Sequence, residues 1–160
     1  MEPRVKMDGG MKVIGSEVRT SYSLELDPVT AKIPGLWKRF FEDGLEEKIP
    51  HRMHPGSLLG VYTDYESDHT GADSLIVSAE VSSLDSVPVG MIGLTIPASK
   101  YLVFPADGPI PDAIIQAWQN IWNYFSQSSE YRRAYTTDFE AYKWNPETQQ
   151  SEAEIHIAIR

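Results

Sequence analysis

Two short stretches of the sequence decide how its fold is interpreted. Thr63-Asp64-Tyr65-Glu66 recurs further along the chain as Thr137-Asp138-Phe139-Glu140. Ile33-Pro34 recurs as Ile110-Pro111, and residues 75–81 are echoed by residues 153–159, in the same order and at nearly the same offset. An ordered repeat of this kind indicates a duplicated supersecondary unit. We therefore expect two halves, about 11–82 and 91–160, each built of a strand, a helix and two further strands.

Two segments have the apolar spacing of amphipathic helices. The first begins near Ile33 and the second near Ile110, and a proline suits the first turn of each. The apolar positions of these segments are Ile33, Leu36, Trp37, Phe40, Phe41 and Leu45 in the first, and Ile110, Ile114, Trp118, Ile121, Trp122 and Phe125 in the second. For any single aromatic residue on these faces, packing in the core is the ordinary expectation.

The remaining apolar segments are rich in β-branched and aromatic residues, which favours strands. They cover residues 13–19, 57–65, 74–81, 101–104, 133–144 and 152–159, with a further strand around 91–96. Residues 1–10 contain no apolar stretch and predict a flexible N-terminal tail, and residues 11–160 predict a single domain. The fold class is therefore α+β, with an antiparallel sheet, two main flanking helices and pseudo-two-fold symmetry.

Composition excludes several classes of function. The chain has 14 Lys and Arg against 23 Asp and Glu, a formal net charge of −9 at pH 7, which argues against direct binding of nucleic acid. It has no cysteine, which excludes disulfides, thiol catalysis and cysteine-type metal sites and is compatible with a reducing cytoplasm. The sequence contains no run of about 18 apolar residues, so it predicts no membrane span. His51 and His54 lack a third ligand nearby, so we expect no metal site and no cofactor.

A candidate binding face follows from strand alternation. The predicted strand at 133–144 places Asp138, Glu140 and Tyr142 on one face, and Tyr62 lies on the corresponding face of the first half. Pockets commonly form where two halves meet. An aromatic ring attracts a cation with roughly 0.5–2 kcal/mol, and a buried carboxylate recovers part of its desolvation penalty on binding one. Plain exposed strand positions remain an alternative explanation of these carboxylates.

Several short runs occur in an order that resembles a known family. They are Ile33-Pro34-Gly35-Leu36-Trp37, Gly60-Val61-Tyr62, Ile96-Pro97-Ala98, Asp138-Phe139-Glu140 and residues 154–159. This set resembles the gyrase-inhibitor-like, AraC-type effector-binding domains, in particular the ligand-binding branch of multidrug regulators. The resemblance covers residues 11–160.

The resemblance implies a ligand groove between the halves that takes lipophilic or aromatic cations. It implies that Glu140 meets the positive charge and that aromatic residues stack on the ligand. The candidates for these contacts are Tyr62, Trp37, Trp118, Tyr142 and Phe104. It implies neither catalytic residues nor a cofactor.

Regulators of this kind usually carry a helix-turn-helix domain, which residues 1–10 are too few to form, so a stand-alone binding module is expected. Such a module would sequester a compound, inhibit a protein or pair with a regulator made elsewhere. Two alternatives remain open. One is an acidic protein-interaction domain. The other is a hydrolase of electrophilic natural products, with Glu140 as base and Tyr62 or Tyr142 as helper.

Overall fold

One antiparallel sheet organises the chain in the computed structural model, which describes residues 3–127 and 130–160. Eight strands and four helices occur in these two ranges. In chain order they are β1 (Arg4–Asp8), β2 (Met11–Ser21), α1 (Tyr22–Leu26), α2 (Ile33–Glu42), α3 (Leu45–Lys48), β3 (Ser57–Thr63), β4 (Ala72–Val81), β5 (Ile92–Ile96), β6 (Ser99–Ala106), α4 (Asp112–Ser126), β7 (Thr137–Asn145) and β8 (Gln150–Ala158).

The strand order shows the duplication directly. Across the sheet it is β1-β6-β8-β7-β3-β4-β2-β5, so the second-half strands β6, β8 and β7 mirror the first-half strands β2, β4 and β3. The pseudo-two-fold axis passes between β3 and β7, where Gly60 pairs with Glu140 and Thr63 with Thr137. Each half follows the predicted order of strand, helix, strand and strand. The predicted α+β class is confirmed.

The edge strands are exchanged between the halves. β1 precedes β2 in the chain but pairs with β6, whereas β5 precedes β6 but pairs with β2. The prediction of a flexible tail at residues 1–10 is therefore wrong for Arg4–Asp8, while residues 1–2 lie outside the described ranges. Backbone pairing orders this segment, and Arg4 Nη2 lies 2.9 Å from Glu154 Oε2 on β8. Its side chains are mostly exposed, and only Val5 and Met7 are apolar, an alternation too short to predict a strand by itself.

The two long helices lie where the apolar periodicity predicted them. α2 ends at Glu42, because Gly44 adopts a left-handed φ of 62°, and Leu45 then begins the short helix α3. α4 begins at Asp112, just after Pro111. None of the described helices is long and apolar enough to span a membrane.

Each long helix packs on its own half of the sheet. Leu36 and Phe40 of α2 pack against apolar residues of β2 and β4, and α4 covers β6 and β8 through residues such as Ile121. A third apolar cluster, which includes Val61 and Phe139, fills the opposite face of the sheet. Because the helices cover the outer strands of each half, a gap remains between them over the central strands β3 and β7.

Candidate functional site

A cavity of about 940 Å³ occupies this gap between α2 and α4. Volumes of about 300–1,000 Å³ are typical of sites for drug-sized molecules. Both halves contribute to the walls, which are mostly apolar. The aromatic side chains that line the cavity are Tyr22, Trp37, Phe41, Tyr62, Tyr65, Trp118, Trp122 and Tyr142.

Glu140 lies on β7 at the bottom of this cavity, with only 3% of the residue exposed. Its Oε2 accepts hydrogen bonds from Trp118 Nε1 at 2.7 Å and from the Tyr62 hydroxyl at 3.0 Å. Its Oε1 accepts a third from the Tyr142 hydroxyl at 2.7 Å. The donors come from α4, β3 and β7, so the carboxylate joins elements of both halves.

The residue opposite Glu140 explains why a carboxylate fits there. Gly60 pairs with Glu140 across β3 and β7. A Cβ at this position would lie 3.0 Å from Glu140 Oε1 and 3.4 Å from Trp37 Cζ2, both tight contacts. The missing side chain of Gly60 thus leaves room for the carboxylate and for the indole beside it.

Burial dominates the electrostatics of Glu140. It raises the pKa of the Glu140 carboxyl above its ordinary value, and the hydrogen bonds from Trp118, Tyr142 and Tyr62 offset only part of that rise. Burial and the charge of Glu140 in turn raise the pKa of both Tyr62 and Tyr142, so these hydroxyls remain protonated donors. Burial therefore disfavours the ionised form of Glu140, and its three hydrogen bonds stabilise that form only in part.

The donor rings are themselves fixed by aromatic contacts. Tyr62 packs edge to face against Trp118, with ring centroids 5.3 Å apart. Tyr142 makes the same contact with Trp37, also at 5.3 Å. Trp122 continues the aromatic wall from Trp118, at 6.1 Å. Edge-to-face packing of this kind fixes ring orientation, which holds the three donors on Glu140.

The second carboxylate on this face of β7 has a structural role. Asp138 is fully buried, and its Oδ2 lies 2.8 Å from Arg133 Nη2. The Tyr65 hydroxyl also donates to Oδ2, and the backbone N–H of Ala158 donates to Oδ1 at 2.8 Å. Because these donors and the guanidinium already neutralise Asp138, the cavity presents Glu140 rather than Asp138 as its central acidic group.

The structure brings together five of the six residues predicted to contact a ligand. Glu140, Tyr62, Trp37, Trp118 and Tyr142 all line the cavity.

The prediction for Phe104 is wrong. Its side chain is 5% exposed and packs beneath α4 against Tyr124 and Phe125, away from the cavity. Phe104 lies on a sheet face that α4 covers, so its ring belongs to the core.

Several cavity residues escaped the sequence analysis. Strand alternation places Tyr65 on the face opposite Tyr62, but β3 ends at Thr63 and Asp64 takes a φ of 52°, which turns Tyr65 back into the cavity. Tyr22 and Asp73 also line it, from α1 and β4.

The sequence repeat contained information about another part of the cavity wall. The repeated dipeptides Ile33-Pro34 and Ile110-Pro111 both line the cavity, so the repeat itself marked one part of the wall in each half.

Within residues 3–127 and 130–160 no group of three His, Asp or Glu side chains is placed to hold a metal ion. His54 Nε2 instead lies 3.4 Å from Glu80 Oε1.

Comparison with known proteins identifies the family. The family described as Cass2, integron-associated effector binding protein, matches residues 5–159. The chain belongs to the Cass2 family. The solved structure of VCH_CASS2, an integron cassette protein from the mobile metagenome of Vibrio cholerae, is 33% identical to it. That structure superposes with a TM-score of 0.82 and covers 99% of this chain and 96% of its own.

Two further relatives extend the comparison. YobU of Bacillus subtilis (strain 168), which its name places among transcriptional regulators, is 28% identical over 148 residues, 91% of this chain and 90% of its own. The structure of SAV2435 bound to tetraphenylphosphonium has a TM-score of 0.78 at 21% identity. It covers 100% of this chain and 94% of its own, and it shares the fold. The resemblance to effector-binding domains is thus confirmed at the level of the Cass2 family, which is described by effector binding rather than by an enzymatic activity.

Proposed function

We propose that this protein binds lipophilic or aromatic cations in the cavity between α2 and α4, with Glu140 as the partner of the positive charge. One observation carries the proposal: a carboxylate that is 3% exposed lies at the bottom of an aromatic cavity of about 940 Å³. A neutral apolar ligand would need the aromatic walls but would gain nothing from this carboxylate.

The energetics favour a cation over a neutral ligand. Burial disfavours the ionised form of Glu140, so a positive charge placed nearby relieves a penalty that the free protein carries. The rings of Trp37, Trp118 and Tyr142 add cation–π attraction of roughly 0.5–2 kcal/mol each, depending on how far the cation is desolvated. The hydrogen bonds to Glu140 keep the carboxylate in position before the ligand arrives, which reduces the cost of ordering the site.

The relatives support an effector-binding role. The Cass2 family is described by effector binding, and SAV2435, which shares the fold, has been solved with a lipophilic cation. We infer an effector-binding module that acts in the cytoplasm through a small molecule, either by itself or with a regulator. A hydrolase would use Glu140 as its base, yet both oxygens of Glu140 already accept hydrogen bonds, which favours a charge partner over a base.

A matched pair of ligands tests the proposal. Methyltriphenylphosphonium and triphenylphosphine oxide have nearly the same shape but differ in charge. Binding of either is measured by the fluorescence of the tryptophans that line the cavity. The wild-type protein is expected to bind the cation on the order of tenfold or more tightly than the oxide. Glu140→Gln should remove this preference while leaving the affinity for the oxide nearly unchanged.

A surface substitution provides the control. Glu66→Gln removes the same formal charge at an exposed position outside the cavity and should retain the preference for the cation. The ligand should be recovered unchanged after prolonged incubation. Equal affinities of the wild-type protein for the two ligands, or equal losses of both in Glu140→Gln, would contradict the proposed role of the carboxylate.

A further inference from the structure

A second carboxylate lines the same cavity at a distance from Glu140. Gly60 pairs with Glu140 on one side and with Val77 on the other, and Asp73 lies four residues from Val77 along β4. With strands about 4.8 Å apart and a rise of about 3.4 Å per residue, the Cα atoms of Glu140 and Asp73 are about 17 Å apart. Both side chains line the cavity, and they enter it from the strands on either side of β3.

The other charged groups on the cavity wall have partners within the protein. Arg133 is paired with Asp138 at 2.8 Å. Glu25 accepts a hydrogen bond from the Thr20 hydroxyl and two from the backbone N–H groups of Lys32 and Ile33, at 2.9 and 3.1 Å, where α2 begins. The ion pair with Asp138 neutralises Arg133, and the hydrogen bonds to Lys32 and Ile33 hold Glu25 at the start of α2.

Asp73 differs from these groups. Among the described residues no donor forms a hydrogen bond with its carboxylate. The nearby Arg19 instead donates to the carbonyl oxygen of Asp64 and to Ser74 Oγ. Burial raises the pKa of Asp73 to about 6, with the charge of Arg19 acting in the opposite direction. Asp73 is thus mostly ionised at neutral pH, and a ligand cation would relieve part of the cost of its burial.

An aromatic side chain lines the space between the two carboxylates. Tyr62 lies on β3, between the strands that carry Glu140 and Asp73, and its pKa is raised by burial first and then by the charges of both carboxylates. Tyr65 also lines the cavity on this side. A linker that joins two positive groups would therefore pass over aromatic surface rather than over a polar one.

We infer that the cavity binds elongated dications, with one positive group at Glu140 and the second at Asp73. This inference rests on the proposed function and narrows the class of ligand to molecules whose two charges are separated by a long apolar linker. A single charge would engage Glu140 alone and leave Asp73 unpaired, so a dication of the right length gains an interaction that no monocation makes.

The experiment compares decamethonium, which has a trimethylammonium group at each end of a ten-carbon chain, with decyltrimethylammonium, which has one. Affinities are measured by titration calorimetry on the wild-type protein, Asp73→Asn and Glu140→Gln. The wild type is expected to prefer the dication by on the order of tenfold. Asp73→Asn should lower the affinity for the dication to that for the monocation, whereas Glu140→Gln should weaken both ligands.

A series of dications with different linker lengths provides a second test, which needs no protein variant. The six-carbon chain of hexamethonium is much shorter than the separation of the two Cα atoms, so we expect it to bind the wild type no better than a monocation, and affinity should rise towards decamethonium. The inference fails, and the proposed function stands, if monocations bind through Glu140 but the dication binds no more tightly than the monocation. The same conclusion follows if the dication keeps a higher affinity than the monocation in Asp73→Asn. If the monocation does not bind, or is indifferent to Glu140→Gln, the proposed function itself fails.

Discussion

Replacing Glu140 by glutamine is expected to stabilise the ligand-free protein at neutral pH while it removes the preference for cations. Burial raises the pKa of the Glu140 carboxyl in the folded state above its value in the unfolded chain, which is about 4.3. Glutamine retains the size of the side chain and one acceptor oxygen but carries no charge to desolvate. The substitution therefore separates the cost of burying the charge from the packing of the site.

The direction and size of the effect follow from proton linkage. Between the unfolded and folded pKa values, the folded state binds more protons, so the free energy of unfolding of the wild type decreases as pH rises. A single group contributes at most about 1.4 kcal/mol per pH unit. The contribution of Glu140 is fully present below about pH 4.3 and is lost as pH rises through its folded pKa. The glutamine variant lacks this contribution, so its advantage over the wild type should grow across that window and then level off.

Urea denaturation followed by circular dichroism, at pH values from about 4 to 8, measures this difference. Other acidic groups titrate in both proteins and cancel when the two curves are subtracted. Saturating methyltriphenylphosphonium should stabilise the wild type and reduce its dependence on pH, because the bound cation favours the ionised carboxylate. A difference that is flat with pH, or a variant that becomes less stable than the wild type at high pH, would refute the claim that burial disfavours the ionised form of Glu140.

Three further variants test other parts of the structure. Gly60→Ala should weaken cation binding and reduce the free energy of unfolding by about 1–3 kcal/mol, because its Cβ would crowd Glu140; unchanged calorimetric and urea titrations would contradict this. Asp138→Asn should cost about 3–5 kcal/mol in urea denaturation, since it leaves Arg133 buried without its partner, and a cost under about 1 kcal/mol would show that the pair is dispensable. Removing residues 1–8, which include β1, should lower the midpoint of thermal unfolding by more than about 2 °C, whereas loss of a flexible tail would leave it unchanged.

The features that sequence predicted well depend on periodicity and on the repeat. Alternation along a strand placed Glu140 and Tyr142 on one face, and the repeat placed Tyr62 near them across the central pair of strands. These inferences succeeded because the period of a strand is two wherever the strand is regular. The helical faces of α2 and α4 were found for the same reason, from a period of 3.6.

The features that sequence missed depend on irregular backbone or on what covers a face. The positive φ of Asp64 reverses the direction of Tyr65, and no periodicity extends through such a turn. Phe104 occupies an apolar face like the cavity residues, but α4 covers that part of the sheet. β1 has only two apolar side chains, Val5 and Met7, and both are exposed, so backbone pairing with β6 orders this strand and its short pattern did not predict it.

Crystals grown with tetraphenylarsonium test most directly whether the cavity is a cation site, because the anomalous scattering of arsenic locates the charge of the ligand. We expect one arsenic peak inside the cavity, on the side of Glu140, with Trp37 and Trp118 against the phenyl groups of the ligand. Crystals of Glu140→Gln grown under the same conditions should show that peak at clearly lower occupancy. A peak on the outer surface of the wild-type protein with an empty cavity, or equal occupancy in both proteins, would contradict the account.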